Sequence, residues 1–304
     1  MLIDGFLPMG DPRVENWPLM ESPVPTFLIV LTYLVVIVWW GQKYMEQRKK
    51  AFEVRRIMLV YNIGMVFFSG WLTYEFCANG WFGGGYTLGC QPVDRTKRPK
   101  AYRMASVCYL FFVSKLIELF DTACFVVRRK FEQVSFLHVF HHAIMPVSWW
   151  FGAKYVPGGI STFHALLNSF VHFIMYSYYG LAAAGPKYRQ YCWWKKYVTV
   201  AQIIQFVMII IHSVYTLTLR DCNYPKLFNY WILSYALIFL VLFSKFYSQA
   251  LSRRLSTAQF QSHVPETTAS VIQRIWASGC DRAVSRLGRG GGTHKPWQAS
   301  CRIG

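Results

Sequence analysis

Three histidines lie within one helical turn of a strongly apolar segment, "FLHVFHHAIMPVSWWFG" (136–152). His138, His141 and His142 follow the spacing i, i+3 and i+4, which places their side chains on one face of an α-helix. Neutral imidazole is both a nucleophile and a proton carrier near pH 7. Because apolar surroundings do not satisfy ring nitrogens, we expect these histidines to face an internal cavity, where they carry out chemistry or bind a metal.

A second polar cluster lies in the preceding apolar segment, "KLIELFDT" (115–122). Lys115, Glu118 and Thr122 share one helical face, and Asp121 lies toward one side of it. Such ionisable groups cost about 3 kcal/mol each at the centre of a membrane span, so they normally face a bundle interior. Two interpretations stay open: a buried ion pair that locks two helices, or groups that line a site.

The two apolar segments after the histidines also carry polar side chains at helical spacing. One face of "FHALLNSFVHFIMYSYYG" forms a polar and aromatic stripe that suits a cavity wall. The amides of "TVAQIIQF" suit either a cavity or hydrogen bonds between helices. The stripe consists of His164, Asn168, His172, Met175, Tyr176 and Tyr179, and the amides belong to Gln202 and Gln205.

Long apolar elements must carry these clusters, and the composition supplies them. The 304 residues are 54% hydrophobic and only 15% charged, whereas soluble domains are about 25% charged. Many apolar blocks reach the roughly 20 residues that cross a bilayer. We therefore predict an all-α integral membrane protein with seven transmembrane helices, of which the fourth has the weakest hydropathy. They lie at 24–41, 57–78, 104–127, 135–153, 159–184, 198–219 and 227–250.

The distribution of basic residues predicts the orientation. With the N-terminus outside, the cytosolic segments hold 21 Lys or Arg and the opposite segments hold 9, which is the positive-inside pattern. We expect a lumenal lead at 1–23, a seven-helix body at 24–250 and a basic, mostly disordered cytosolic tail at 251–304. The lead is acidic rather than basic, so no cleaved secretory signal is expected.

Charge and cysteine usage narrow the partners. The net charge of +18 is partly accounted for by topology, and the remainder suits anionic lipid or a phosphate-rich substrate rather than nucleic acid. The eight cysteines form no CxxC pattern, which disfavours a zinc or thioredoxin-like site. Cys90 and Cys222 fall in loops on the predicted oxidising side, where a disulfide between them is favoured although spacing alone does not bring them together.

Three kinds of chemistry compete for the histidine cluster. A membrane di-iron oxygenase needs several paired histidine boxes, whereas this chain has one paired box and eight histidines in all, with His263 and His294 in the tail. A channel or carrier would leave three histidines beside a Lys/Glu/Asp face without a purpose. Acyl transfer is the third interpretation, because neutral histidine is a competent nucleophile near pH 7.

Four motifs resemble, in the same order, the signature motifs of the very-long-chain fatty acid elongases: "KLIELFDT", "HVFHH" (138–142), "HFIMYSYY" (172–179) and "TVAQIIQ" (199–205). The resemblance runs from about 11 to 250 and is closest to the subgroup acting on saturated and monounsaturated acyl chains. It implies seven transmembrane helices, six of them in a barrel around a closed acyl tunnel, in the endoplasmic reticulum membrane. It also implies condensation of a long-chain acyl-CoA with malonyl-CoA, giving 3-oxoacyl-CoA, CoA and CO2, with no metal or redox cofactor required.

The resemblance implies a role for each candidate residue. His141 would attack the acyl thioester in a ping-pong mechanism, while His138, His142 and His172 would orient it and move protons. Asn168 would stabilise developing oxyanions. The remaining expected substrate-binding residues are Lys115, Glu118, Asp121, Thr122, Tyr176, Tyr179, Gln202 and Gln205. Basic residues near the cytosolic mouth are candidates for binding the CoA phosphates, although positive-inside topology explains their presence equally well. They are Arg128, Arg129, Lys130, Lys195 and Lys196.

The resemblance also supports the disulfide between Cys90 and Cys222, and it implies further partners. These are membrane lipids, the reductases and dehydratase of the elongation cycle, and a second copy in a homodimer.

Two stretches depart from the family. "GQKYMEQRKKAF" lacks the usual Pro after its Gly, and the tail ends "SCRIG" rather than in a lysine-rich retrieval signal, so retention by that signal is not expected.

Overall fold

The computed structural model describes residues 9–263, and this part of the chain is helical without strands. The first compact unit ends at Phe246. Residues 1–8 of the predicted lead and 264–304 of the predicted tail lie outside the described residues. The α-helices are α1 (Val24–Thr32), α2 (Gln42–Gln47), α3 (Arg55–Phe76), α4 (Pro99–Ile117), α5 (Leu119–Val127), α6 (Phe136–Tyr155), α7 (Ser161–Ala184), α8 (Lys195–Thr218) and α9 (Lys226–His263).

Short helical stretches of other types join these elements. Tyr33–Gly41 continues α1 into α2 as a π-helix, and Cys77–Trp81 continues α3 in the same way. Phe131–Gln133 and Pro186–Cys192 are 3-10 turns. At the other end, α9 passes the predicted helix boundary at 250 and continues to His263.

Four helical segments of the described chain are long and apolar enough to cross a membrane: Val24–Gln47, Arg55–Trp81, Gln190–Thr218 and Lys226–Gln249. The protein is therefore an all-α, multi-pass membrane protein. The stretches predicted as the third, fourth and fifth spans are helical too, but they contain the polar clusters described above.

The helices pack with their polar residues inward. α3 and α8 lie against α7, α4 lies against α6, and the first helical segment crosses α5 and α6. Large aromatic side chains such as Phe76, Phe111 and Trp149 fill the interior. Apolar side chains such as Phe67 and Val241 remain exposed on the outside, as expected where hydrocarbon replaces water as the solvent.

The third predicted span is interrupted at Glu118. α4 ends at Ile117 and α5 begins at Leu119. Just after the interruption, the amide of Asp121 bonds to the carbonyl of Glu118, three residues back, at 3.1 Å. Ser114 also turns its hydroxyl back onto the carbonyl of Phe111 at 2.7 Å, a contact that bends helices. The prediction of one continuous helix over 104–127 was therefore incomplete.

The described part of the lead is fixed to the ends of α4 and α6. The amide of Asp11 donates to the carbonyl of Lys154 at 2.8 Å. The guanidinium of Arg13 pairs with the Asp11 carboxylate at 2.7 Å and donates to the carbonyls of Asp94 and Ala101. Because the Asp11 side chain is fully buried, this pair fixes the lead to the body of the protein and is not a surface ion pair.

A disulfide ties two loops together. Cys90, before α4, is joined to Cys222, before α9, with 5.3 Å between the Cα atoms. The neighbouring loop packs closely: Gly159 has φ +66°, and a Cβ there would lie 2.7 Å from the carbonyl oxygen of Gln91. Only glycine suits this backbone position and this approach.

The Asp11–Arg13 pair predicts a stability difference that depends on pH. Burial works to raise the pKa of Asp11, but hydrogen bonds and the charge of Arg13 hold it below its usual value. Asp11→Ala should therefore lower the free energy of unfolding by about 2 kcal/mol at neutral pH, because the Arg13 guanidinium loses its counter-charge and keeps only carbonyl acceptors. The difference should narrow as the pH falls through the pKa of the folded state, where the parent loses this stabilisation.

Thermal unfolding in detergent across pH measures this difference. Arg98→Ala is the matched control, since the Arg98–Asp94 pair is exposed and such pairs contribute little. Equal losses in the two variants would mean that the lead is not anchored by the buried pair.

Candidate active site

The centre of the site is the carboxylate of Glu118 at the break between α4 and α5. Lys115 Nζ donates to Glu118 Oε1 at 2.6 Å and to Asn168 Oδ1 at 2.8 Å. His172 Nδ1 lies 3.1 Å from the same Glu118 oxygen, although it is not aligned as a hydrogen bond. All four side chains are buried, so the cluster joins α4 to α7 in the interior of the bundle.

Charge compensation explains how this cluster survives in an apolar interior. An ion leaving water loses several kcal/mol of solvation unless a partner and hydrogen bonds replace it. Lys115 supplies the opposite charge, and its Nζ also lies 4.5 Å from the centre of the Phe111 ring. The Lys115–Glu118 ion pair lies within one segment, so the two helices are joined by the contacts of this pair with Asn168 and His172 on α7.

The other wall is the histidine face of α6. Ser135 caps the helix by accepting from the amide of His138 at 3.3 Å, so the histidines lie in the first two turns. The ring centres of His138 and His142 are 4.2 Å apart, and those of His141 and His142 are 5.3 Å apart. Across the site, His141 and His172 have ring centres 6.5 Å apart. Four imidazoles thus converge from α6 and α7.

The first turn of α5 contributes two hydrogen-bonded groups, Asp121 and Thr122. The hydroxyl of Tyr176 donates to Asp121 Oδ2 at 2.6 Å and lies 3.4 Å from the hydroxyl of Tyr61. The sequence analysis had placed Asp121 and Tyr176 in the site but missed Tyr61. No motif marks this residue, because a single tyrosine in an apolar run is also common in lipid-facing positions.

Thr122 forms the second of these groups. Its Oγ1 lies 2.8 Å from His138 Nε2 and 3.1 Å from the hydroxyl of Tyr33. Tyr33 belongs to the first predicted span and was also missed by the sequence analysis. Its place at the start of a π-helical stretch, a feature that often marks functional positions, is seen only in the structure because periodicity does not reveal it.

The predicted stripe on α7 divides into two levels. His172 belongs to the Glu118 cluster, whereas His164 lies two turns away, about 12 Å along the helix axis. There its Nδ1 pairs with the hydroxyl of Tyr235 at 2.7 Å, beside the ring of Trp149. The stripe is therefore divided between two separate levels of the interior and does not form a single site.

The remaining predicted side chains lie around these levels. Gln202 Nε2 is 3.9 Å from Met175 Sδ. Gln205 is buried, and its Oε1 has no hydrogen-bond partner in the described part of the chain. The ring of Tyr179 contacts that of Tyr176, with 6.2 Å between centres. Gln205 consequently has an acceptor available for a ligand.

The basic residues considered for CoA phosphates lie outside this cluster. Arg128 Nη1 is 3.2 Å from Met58 Sδ, and Arg129 Nη1 donates to the carbonyl of Arg48 at 2.6 Å. Lys130, Lys195 and Lys196 are exposed, and Lys196 lies over the ring of Tyr197. Over residues 9–263, no three His, Cys, Asp or Glu side chains are grouped to hold a metal ion.

Comparison of the sequence with known proteins places this chain in a family. The sequence model of the GNS1/SUR4 (ELO) family matches residues 18–259. The chain belongs to the GNS1/SUR4 family. The chain is 50% identical to very long chain fatty acid elongase 7 of Drosophila melanogaster, over 84% of this chain and 78% of the relative.

Human family members give the same result. Very long chain fatty acid elongase 1 of Homo sapiens is 45% identical over 84% of this chain and 92% of its own. Elongase 4 of Homo sapiens is also 45% identical, over 92% of this chain and 85% of its own. The resemblance drawn from the four motifs is thereby confirmed.

The buried pair in this GNS1/SUR4 family member predicts a non-additive stability effect. Lys115→Met leaves the Glu118 charge without its main partner, and we expect a loss of about 3 kcal/mol. The double variant Lys115→Met/Glu118→Leu removes both charges and should recover part of that stability. The midpoint of thermal unfolding in detergent is measured for Lys115→Met, Glu118→Leu and the double variant. If the loss of stability in the double variant equals the sum of the two single losses, the two groups do not form an energetically coupled pair.

Proposed function

We propose that this chain is the condensing enzyme of fatty acid elongation, an acyltransferase that joins a long-chain acyl-CoA to malonyl-CoA. Family membership supports the activity, because the relatives are named very long chain fatty acid elongases. The observation that carries the residue roles is the approach of His141 to His172. A nucleophile and a proton carrier thereby share one interior space backed by a charge-compensated cluster.

In the first step, a ring nitrogen of His141 attacks the carbonyl carbon of the acyl thioester. The new N–C bond forms, the C–S bond breaks, and the sulfur leaves with a proton as free CoA. His141 retains part of its surface, as a nucleophile must.

In the second step, malonyl-CoA loses its carboxyl group as CO2, and the electron pair of the broken C–C bond forms an enolate. The enolate carbon attacks the acyl carbon on His141. The N–C bond then breaks, which releases 3-oxoacyl-CoA, and one proton taken up from solvent through His172 restores neutral His141. No metal or redox cofactor is needed for this sequence.

The neighbouring groups have complementary tasks. His172 takes up and returns a proton, and the Glu118 carboxylate beside it stabilises the charged imidazole. Lys115 holds the amide of Asn168 in place, and this amide would stabilise oxyanions at the acyl carbonyl. Because Asn168 Oδ1 already accepts from Lys115, its NH2 group is left to donate to substrate. His138 and His142 orient His141 from the same helix.

The membrane arrangement belongs to the same proposal. Seven spans put residues 1–23 in the lumen of the endoplasmic reticulum and residues 251–304 in the cytosol, with the catalytic body at 24–250. The Cys90–Cys222 disulfide supports a lumenal position for its loops, since that compartment is oxidising. Lipids, a second copy, and the reductases and dehydratase that process the 3-oxo product are the partners.

The test of this function uses membranes containing the chain, carboxyl-labelled malonyl-CoA and a panel of long acyl-CoAs. We expect acyl-dependent release of labelled CO2 and formation of the 3-oxoacyl product. His141→Ala should lower the rate at least about 100-fold, the scale of a lost nucleophile or acid–base group. A folded, abundant parent that releases no labelled CO2 with any acyl-CoA would overturn the assignment.

A small cavity beyond the His164–Tyr235 level suggests where the acyl tail ends. Its volume is about 20 Å³, enough for roughly one water. From His141 to Trp149 on its wall, α6 rises about 12 Å. We place the methyl end of the acyl chain at the level of this cavity. The cavity is lined by Ser148, Trp149, Gly152, Val156, Ser161, Phe228, Trp231, Ile232 and Tyr235.

Enlarging this cavity should lengthen the preferred acyl chain. Trp231→Ala removes a large ring from its wall, so longer acyl-CoAs should gain in kcat/KM relative to shorter ones. Tyr230→Ala is the matched control, because Tyr230 is the neighbouring residue on α9 and its ring is exposed. Chain-length profiles of the condensation product measure the effect. An active Trp231→Ala variant with the parent's profile would place the tail elsewhere.

A further inference from the structure

A tyrosine in the first apolar segment reaches the histidine cluster through one intermediate. The Tyr33 side chain is buried, and its hydroxyl lies 3.1 Å from Thr122 Oγ1. Thr122 is fully buried as well, and the same oxygen lies 2.8 Å from His138 Nε2. Three polar groups from three different elements therefore form one line that ends on an imidazole.

The chemistry of the groups fixes the direction of these two hydrogen bonds. A tyrosine and a threonine hydroxyl each have one proton to donate. Within the described residues, Thr122 is the hydrogen-bond partner of the Tyr33 hydroxyl, and Tyr33 and His138 are the partners of Thr122 Oγ1. If His138 donated to Thr122, either the Tyr33 proton or the Thr122 proton would be buried without an acceptor, which is costly. In the favoured direction, Tyr33 donates to Thr122 and Thr122 donates to His138 Nε2.

We propose that Tyr33 is a positioning residue for the condensation, acting through Thr122 to hold His138 as a neutral imidazole with its proton on Nδ1. This inference rests on the proposed function, in which His138 orients the nucleophile. A neutral imidazole that accepts at Nε2 must have its proton on Nδ1, so the line selects one tautomer as well as one ring orientation.

The position of His138 passes on to the reacting group. Its ring centre is 4.2 Å from that of His142, which in turn is 5.3 Å from that of His141. A tilted or differently protonated His138 would therefore disturb the packing of the other two. Tyr33 itself touches neither of them in the described structure, and it contacts the cluster only through Thr122.

The local fold holds Tyr33 at the depth that this contact requires. Tyr33 is the first residue of the π-helical stretch Tyr33–Gly41, and this stretch packs against α5, which carries Thr122. The first helical segment is otherwise largely exposed, with Trp39 and Trp40 on its surface. It thus contributes a specific polar contact to the site in addition to its membrane span.

The first test compares steady-state kinetics of variants, normalised to folded protein. Tyr33→Phe should lower kcat about fivefold, the scale of one lost hydrogen bond, without changing KM for either CoA substrate. Thr122→Val should lose at least as much, and the double variant should lose no more than Thr122→Val alone. Thr122→Ser, which keeps the hydroxyl, should recover most of the loss.

The matched control is Tyr44→Phe in the neighbouring helix α2. Tyr44 is exposed and stacks on Trp40 with 5.6 Å between ring centres, so its hydroxyl does not enter the site and kcat should stay at the parent's value. Additive losses in the double variant, or a raised KM with unchanged kcat in Tyr33→Phe, would overturn the positioning role.

The second test does not depend on condensation. Diethyl pyrocarbonate reacts with an unprotonated imidazole nitrogen that is free to attack, and mass spectrometry of peptides reports the rate for each histidine. His138 should react faster in Tyr33→Phe and in Thr122→Val than in the parent or in Tyr44→Phe. A parent-like rate in Tyr33→Phe would overturn the inference. A parent without labelled CO2 release would instead overturn the proposed function, while this labelling still decides the role of Tyr33.

Discussion

A buried carboxylate, that of Glu118, is the constraint on which the rest of the structure depends. A charge in the interior of a membrane bundle is tolerated only with partners that replace its hydration. Lys115 lies three residues before it on α4, and His172 approaches from α7. Because these partners come from two elements, the helices must meet at this level and in this register. The break between α4 and α5 occurs at the same residue, so the polar centre and the interruption of the helix coincide.

This centre also explains how one helix face can serve both structure and chemistry. Lys115 bonds to Glu118 and to Asn168, which fixes the orientation of the Asn168 amide. Just beyond the break, Asp121 accepts a hydrogen bond from Tyr176, and Thr122 lies within hydrogen-bond distance of His138. The groups around the histidines are therefore oriented before any substrate arrives. Preorganised dipoles of this kind stabilise developing charge without rearrangement during the reaction.

Much of this arrangement could be predicted from the sequence, and the missing parts have physical reasons. Apolar runs of membrane length predicted the helices, and helical spacing predicted that the histidines on α6 share a face. Spacing within one segment says nothing about contacts between distant segments, so Tyr33 and Tyr61 were missed. Hydropathy also does not record which carbonyl an amide bonds to, so the break at Glu118 and the π-helical stretches were invisible. The stripe on α7 was predicted as one surface, whereas His164 pairs with Tyr235 at a separate level.

The charge balance of the cluster bears on the proposed second step. With neutral histidines, Lys115 and Glu118 cancel each other, and Lys115 is already committed to two acceptors. The free carboxylate of malonyl-CoA would therefore enter a space with no uncommitted positive charge from this pair. Its loss as CO2 removes a localised charge and leaves an enolate, whose charge is spread over the thioester and can be met by amide and imidazole donors. A fully compensated cluster thus favours the departure of the carboxylate, whereas an unpaired lysine at the same place would stabilise it.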